Sequence, residues 1–298
     1  MIPLTDENPT RRTPIVTVAI IAACLVVYFA WQPRLSDEAV IVETSVGVLQ
    51  MDEVTEFNLR NAAIPCELVE RRPLTVDETI ETFGSPASDG ERCGAGSGES
   101  PELFPDKSVW LSLLTSMFLH GSLLHLGGNL LFLWIFGNNI EDHLGHVRFA
   151  VFYLLSGLAA SALYIALNMD STVPLVGASG AIAGVMGAYL VWFPDAPVRT
   201  LVFLGFFITM IAVRAKWLLA FWFVSQFFTD PNSCVAWAAH VGGFVFGALV
   251  GLLVRSSARV RRSTWRVDQS RHGWDNTGGA GYRPYRSRRP GSTPRSWW

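Results

Sequence analysis

Four polar side chains stand within otherwise apolar runs of this chain. His125 and Asn129 lie in HLGGN, Ser179 in GASGAIAGVMG and His240 in AHVGGFVFG. A serine hydroxyl is a poor nucleophile until a base takes its proton, and an imidazole suits that task at neutral pH. Ser179 opens an apolar run that reaches Phe193, so it is expected near the N-terminus of a helix. Unpaired backbone N–H groups and a partial positive charge at such a terminus favour a developing oxyanion. His125 and Asn129 are spaced i and i+4, on one helical face, and can add N–H donors. The chemistry this set points to is acyl transfer, with Ser179 as nucleophile and His240 as general base and acid. His120, five residues before His125, reads as structural.

Each of these residues also has a plainer reading. Small residues at four-residue spacing, such as Gly180 and Gly184, are common in membrane helices because they let backbones approach closely. A lone intramembrane histidine often makes an interhelical hydrogen bond or serves a proton relay. What favours catalysis is the coincidence of four such groups on three spans that run the same way.

The elements that must hold these groups follow from composition. The 298 residues are 50% hydrophobic and 16% charged, with 11 Trp and a mean hydropathy of +0.31. With several long apolar runs, this describes a multi-span membrane protein rather than a soluble domain. Residues 1–13 are polar and end in Arg11 and Arg12, and the first apolar span runs from 14 to 31. That run is long for a cleaved signal peptide and is read as a retained anchor. Residues 32–108 form an acidic insertion with 16 Asp or Glu against 6 Lys or Arg. Its first part, Val40 to Thr79, has the composition of a small folded element, whereas Ser85 to Pro105 reads as a loop. Cys66 and Cys93 both fall in it, and on an oxidising side of the membrane they can pair, although two cysteines carry no spacing signature. Cys24 and Cys234 read as packing residues.

Residues 109–254 hold the other apolar spans, and 255–298 form a tail with 11 Arg against 2 Asp that is expected to be disordered. The opposed charges of insertion and tail read as a topology signal that keeps the tail inside, with no nucleic acid expected as a partner. Arg214 and Lys216 interrupt the region from Leu201 to Phe228, so 201–213 is expected to lie along the interface or re-enter, with a short span over 217–228. The resulting fold is all-α, a polytopic bundle of six transmembrane helices with both termini cytoplasmic, located in a bacterial-type plasma membrane. Spans two, four and six then start on the same, outer side. Ser179 and His240 each fall about five residues into their spans, roughly 7 to 8 Å deep at 1.5 Å per residue. Gly243, Gly247 and Gly251 continue one face from His240, and Gly180, Gly184 and Gly187 flank the face of Ser179, so close packing of the two spans would join the pair.

HGSLLHLGGN (His120–Asn129), GASG (Gly177–Gly180) and AHVGGFVFG (Ala239–Gly247) together resemble the three signatures of rhomboid intramembrane serine proteases, in the family's order. The resemblance covers about Trp110 to Val254. It implies a dyad of Ser179 and His240 with no acidic third member, and an oxyanion site of His125, Asn129 and the Ser179 amide. Gly177, Gly180, Gly243 and Gly247 would then be structural neighbours of the site. Members cut transmembrane segments of other proteins, so the implied partners are transmembrane protein substrates and the lipid bilayer, with no cofactor and no metal. Two departures stand out. The position four residues after the serine is often aromatic in the family, yet here it is Ala183, and the sequence does not show what orients His240 in its place. The 32–108 insertion is also longer than a minimal member needs.

Two rival readings remain at the level of sequence. A non-proteolytic rhomboid-like protein would bind transmembrane segments without cutting them. A proton-coupled transporter would need polar residues through the whole membrane depth, whereas the inner halves of spans two, four and six are almost wholly apolar.

Overall fold

The computed structural model describes residues 2–33, 39–44, 47–83, 93–94, 100–204, 207–229 and 236–257. Cys234, most of the expected 85–105 loop and all but the first three residues of the expected tail, His272 included, lie outside the described residues. The chain begins with β1 (Ile2–Asp6) and α1 (Ile15–Val26), the latter prolonged by a π turn to Trp31. The insertion follows as β2 (Ala39–Thr44), β3 (Gly47–Asp52), α2 (Glu53–Asn61), α3 (Pro65–Glu70) and α4 (Val76–Phe83). Next come α5 (Val109–Thr115), ending in a 3₁₀ turn at Ser116–Phe118, then α6 (Leu123–Phe132), a π turn and α7 (Asn138–Leu144). The remaining elements are α8 (His146–Leu167), α9 (Ser179–Trp192), β4 (Pro197–Leu204), β5 (Phe207–Arg214), α10 (Ala215–Ser225) with a 3₁₀ turn at Gln226–Phe228, and α11 (Trp237–Ser257).

The fold is mostly helical, and α9 lies at its centre. Apart from Ser179, Leu190 and Val191, every residue of α9 is buried, as expected of a helix that is apolar all round. Such a helix has no polar face to offer water, so its neighbours must enclose it. The α11 backbone comes so close that a Cβ on Gly243 or Gly247 would run into the carbonyl oxygens of Gly180 and Gly184. On the α8 side, a Cβ on Gly180 would lie 2.6 Å from the Ala160 Cβ. Among the described residues, three helical stretches are long and apolar enough to cross a membrane: Leu123–Leu144, His146–Leu167 and Trp237–Val254. Shorter apolar helices run over Ile15–Trp31, Val109–Phe118 and Ser179–Trp192.

Helices do not account for everything. The expectation of an all-α fold fails at 197–214, where β4 and β5 form a hairpin in place of an interfacial or re-entrant segment. Its run TLVFLGFFITMIAV is rich in β-branched and aromatic residues, and periodicity alone does not distinguish a short apolar strand from a buried helix. The N-terminal residues 1–13 are likewise more than a polar leader, because β1 adds antiparallel to β4 and completes a sheet of order β1-β4-β5. Arg214 and Lys216 close the hairpin and pair with Asp195 at 3.5 and 2.8 Å, so neither cation sits mid-helix. The polar residues around Glu141 form the end of a 22-residue helix through α6 and α7. That helix continues because the buried Glu141 carboxylate is satisfied: it accepts from the N–H groups of Val16 and Thr17 and from the Thr17 hydroxyl, 2.7 to 2.8 Å away.

The insertion has its own small core of Val42, Leu59, Ile64, Cys66, Leu74, Val76, Leu103 and Phe104. β2 and β3 form an antiparallel hairpin, and Asp52 caps α2 by accepting from the Thr55 N–H at 2.9 Å. The sulfurs of Cys66 and Cys93 are bonded to each other. Burial would raise the Glu78 carboxyl, but Arg72 and the N–H groups of Thr75 and Gly94 outweigh it and hold that group down at about 2. The insertion grips the loop before α9. Ala63 bridges Leu175, and the N–H groups of Cys66 and Cys93 donate to the carbonyls of Ser171 and Asp170, each at 3.0 Å.

Candidate active site

Ser179 is the first residue of α9, one turn nearer the helix end than the sequence suggested, and its preceding residue Ala178 offers no side-chain cap. The first intrahelical bond runs from the Ile182 N–H to the Ala178 carbonyl, so the N–H groups of Ser179, Gly180 and Ala181 have no acceptor within the helix. Gly177 precedes them at φ +128°, a conformation that L side chains rarely adopt. A Cβ there would lie 2.9 Å from His125 Cε1 and Nε2 and 3.6 Å from Ser179 Oγ. Glycine therefore lets the His125 ring and the Ser179 hydroxyl crowd the same point.

His240 is the fourth residue of α11, and its Nε2 lies 2.8 Å from Ser179 Oγ, across 61 residues of chain. The close α9–α11 approach through Gly180, Gly184, Gly243 and Gly247 makes that meeting possible, because larger residues would hold the two backbones apart. His240 Nδ1 lies 2.7 Å from Gln226 Oε1, and the Trp222 ring packs 5.7 Å from the imidazole, both from α10 and its closing turn. The sequence reading placed 217–228 in a short span and missed both residues. The available signal was a lone glutamine in the apolar run LLAFWFVSQFF, since a polar side chain there needs a partner. Ala183 is wholly buried, so the aromatic contact to the imidazole comes from α10 rather than from α9.

Asn129 is buried on α6, and its Nδ2 has no hydrogen-bond partner among the described residues. A buried amide donor left open is unusual and is suited to an incoming oxygen. His120 is also buried, with Nδ1 3.1 Å from the Phe118 carbonyl and its ring 5.3 Å from that of His125. The Gln32 side chain pins the His120 backbone from both sides, accepting from its N–H at 3.1 Å and donating to its carbonyl at 2.8 Å. A cavity of about 20 Å³ adjoins Ser179, lined by Ser116, Gly157, Ala160, Ser161 and Gly177 among others. That is room for roughly one water beside two hydroxyls. The arrangement can abstract a proton from Ser179, present its oxygen to a carbonyl, and offer helix-terminal N–H groups and Asn129 Nδ2 to the resulting oxyanion.

Residues 107–257 match the rhomboid domain. The chain is similar to "Rhomboid protein 1, mitochondrial" of Saccharomyces cerevisiae, with 33% identity over 161 residues that cover 51% of this chain and 44% of the relative. It is 43% identical over 81 residues to "Rhomboid protease GluP" of Bacillus subtilis, covering 27% of this chain and 15% of that one. It is 30% identical over 142 residues to "Presenilin-associated rhomboid-like protein, mitochondrial" of Bos taurus, covering 45% and 36%. The chain thus spans less than half the length of each of these relatives. With the rhomboid domain matching just over half of its residues and carrying Ser179, His240, His125 and Asn129, the chain belongs to the rhomboid family of integral membrane proteins.

Proposed function

We propose that this chain is an intramembrane serine endopeptidase that cuts transmembrane segments of other membrane proteins. The observation that carries the reading is the 2.8 Å approach of His240 Nε2 to Ser179 Oγ at a helix N-terminus with free N–H groups. In the forward step, His240 Nε2 takes the Ser179 proton as Oγ attacks the scissile carbonyl carbon. The Ser179 amide, Asn129 Nδ2 and His125 hold the oxyanion. His240 then protonates the leaving amine, and the acyl-enzyme forms. A water, activated by the same imidazole, releases the acid product and returns the proton to Ser179. A substrate helix must unwind locally to reach the serine, because its backbone amides are otherwise paired and shielded.

The proposed topology has six spans: Ile15–Trp31, Leu123–Leu144, His146–Leu167, Ser179–Trp192, 215–228 and Trp237–Val254. The sheet end with β1 lies on one side of the membrane and the 32–108 insertion on the other. The expected bacterial-type plasma membrane draws no support from matched relatives named mitochondrial, and the reading retains only an integral membrane location.

The test is labelling of the detergent-solubilised protein by a fluorophosphonate, together with cleavage of a panel of single-pass proteins. Both signals are expected in the wild type, with loss to background in Ser179→Ala and in His240→Ala. Cleavage that persists in Ser179→Ala sinks the mechanism, and binding of single-pass proteins with neither signal supports a non-proteolytic role.

A further inference from the structure

We infer that Gln226 is a positioning residue for His240, taking the place that an aspartate or asparagine occupies in three-membered catalytic sets; this rests on reading Ser179 and His240 as a catalytic pair. Gln226 Oε1 carries only lone pairs, so at 2.7 Å it requires the hydrogen of the imidazole on Nδ1. The neutral ring then has its lone pair on Nε2, the atom 2.8 Å from Ser179 Oγ. Without that contact, nothing at Nδ1 would favour this tautomer over the one that places a hydrogen against the serine hydroxyl.

The amide is held in this sense by its other end. Gln226 Nε2 donates to the Trp222 carbonyl at 3.0 Å and to Ser225 Oγ at 3.3 Å, while Ser225 Oγ itself donates to the Trp222 carbonyl at 2.6 Å. A flip would set the amide oxygen against that carbonyl, losing both Nε2 bonds, and would turn an N–H toward Nδ1, which accepts it only in the other tautomer. Gln226 is only 7% exposed, so its polar atoms depend on these partners. The same turn brings the Trp222 ring against the imidazole, and the end of α10 thus restrains His240 at both edge and face. His125 approaches the site from α6 at the Gly177 side, with the His120 ring packed behind it. A neutral amide fixes the tautomer without adding a buried charge.

The experiment follows the rate of fluorophosphonate labelling of the full chain in detergent against pH, in the wild type, Gln226→Met and Gln226→Glu. Gln226→Met keeps length but removes the acceptor, and its labelling rate is expected to fall at least about tenfold while the final labelled amount matches the wild type. Gln226→Glu restores an acceptor and adds a charge that favours imidazolium, so its plateau rate is expected to stay near wild type while the acid limb moves up by about one pH unit. A residue needed only for folding would lower the labelled amount and leave that limb in place. Gln226→Met labelling at the wild-type rate, or an unmoved limb in Gln226→Glu, overturns the proposal. Should Gln226→Met fail to fold, the limb of Gln226→Glu decides alone. Absence of Ser179-dependent labelling in the wild type overturns the catalytic pair and this proposal with it, whereas Ser179-dependent labelling indifferent to Gln226 overturns this proposal only.

Discussion

Asn129 offers a buried amide with an open donor on α6, which packs against the α9 of Ser179. If that donor serves the oxyanion, Asn129→Ala should lower turnover by about 10²- to 10³-fold, with residual activity because the helix-terminal N–H groups remain. The measurement is the cleavage rate of any membrane protein whose cutting depends on Ser179; a rate within threefold of wild type would remove Asn129 from the site. At this scale the sequence was informative where chemistry sits in a contiguous string. Ser179, His125, Asn129 and His240 are legible because each falls within a compact motif beside small residues. Gln226 was not, because it lies 14 residues before His240 on another helix and its role exists only through the angle at which α10 ends.

Between elements, the decisive contact is that of α9 with α11. A Cβ at Gly247 would strike the Gly184 carbonyl, which belongs to backbone and has no way to move aside alone. Gly247→Val should therefore push the helices apart, cost at least 1 to 3 kcal/mol, lower the unfolding temperature in detergent and abolish labelling of Ser179. Gly251→Ala is a milder perturbation, since its Cβ would meet Val191 Cβ at 3.1 Å and Ala188 Cα at 3.4 Å, and a smaller fall in unfolding temperature with labelling retained is expected. The glycine faces were readable from spacing, and so was the helical nature of 14–31. The β4–β5 hairpin was not: an apolar run in a membrane protein invites a helical reading, and the third strand that flanks it, β1, lies almost two hundred residues earlier.

Across the molecule, two couplings tie distant segments to the core. At the sheet end, Asp6 Oδ2 accepts from Tyr189 OH at 2.7 Å and from Asn139 Nδ2 at 2.6 Å, and burial pushes its carboxyl from 3.8 up to about 6. A folded-state value above the unfolded one means the folded protein binds the proton more tightly. This group therefore stabilises the fold fully below its unfolded value, and that contribution is lost as pH rises through about 6. Asp6→Asn should flatten this part of the profile of unfolding temperature against pH, and an unchanged slope would refute the assignment. At the other end, the Cys66–Cys93 bond closes the insertion with a sequence separation of 27. Cys66→Ser with Cys93→Ser should destabilise the insertion by about 3 kcal/mol, read as accelerated proteolysis within 39–104.

The same insertion clasps the backbone from Asp170 to Leu175, which leads directly to Ser179. A polypeptide made from its N-terminus presents Ala63 and Cys66 to the growing protein long before the stretch they are to hold has been synthesised. Ser179 is thus delivered into a mould that an earlier part of the same molecule has already cast, and His240 follows it.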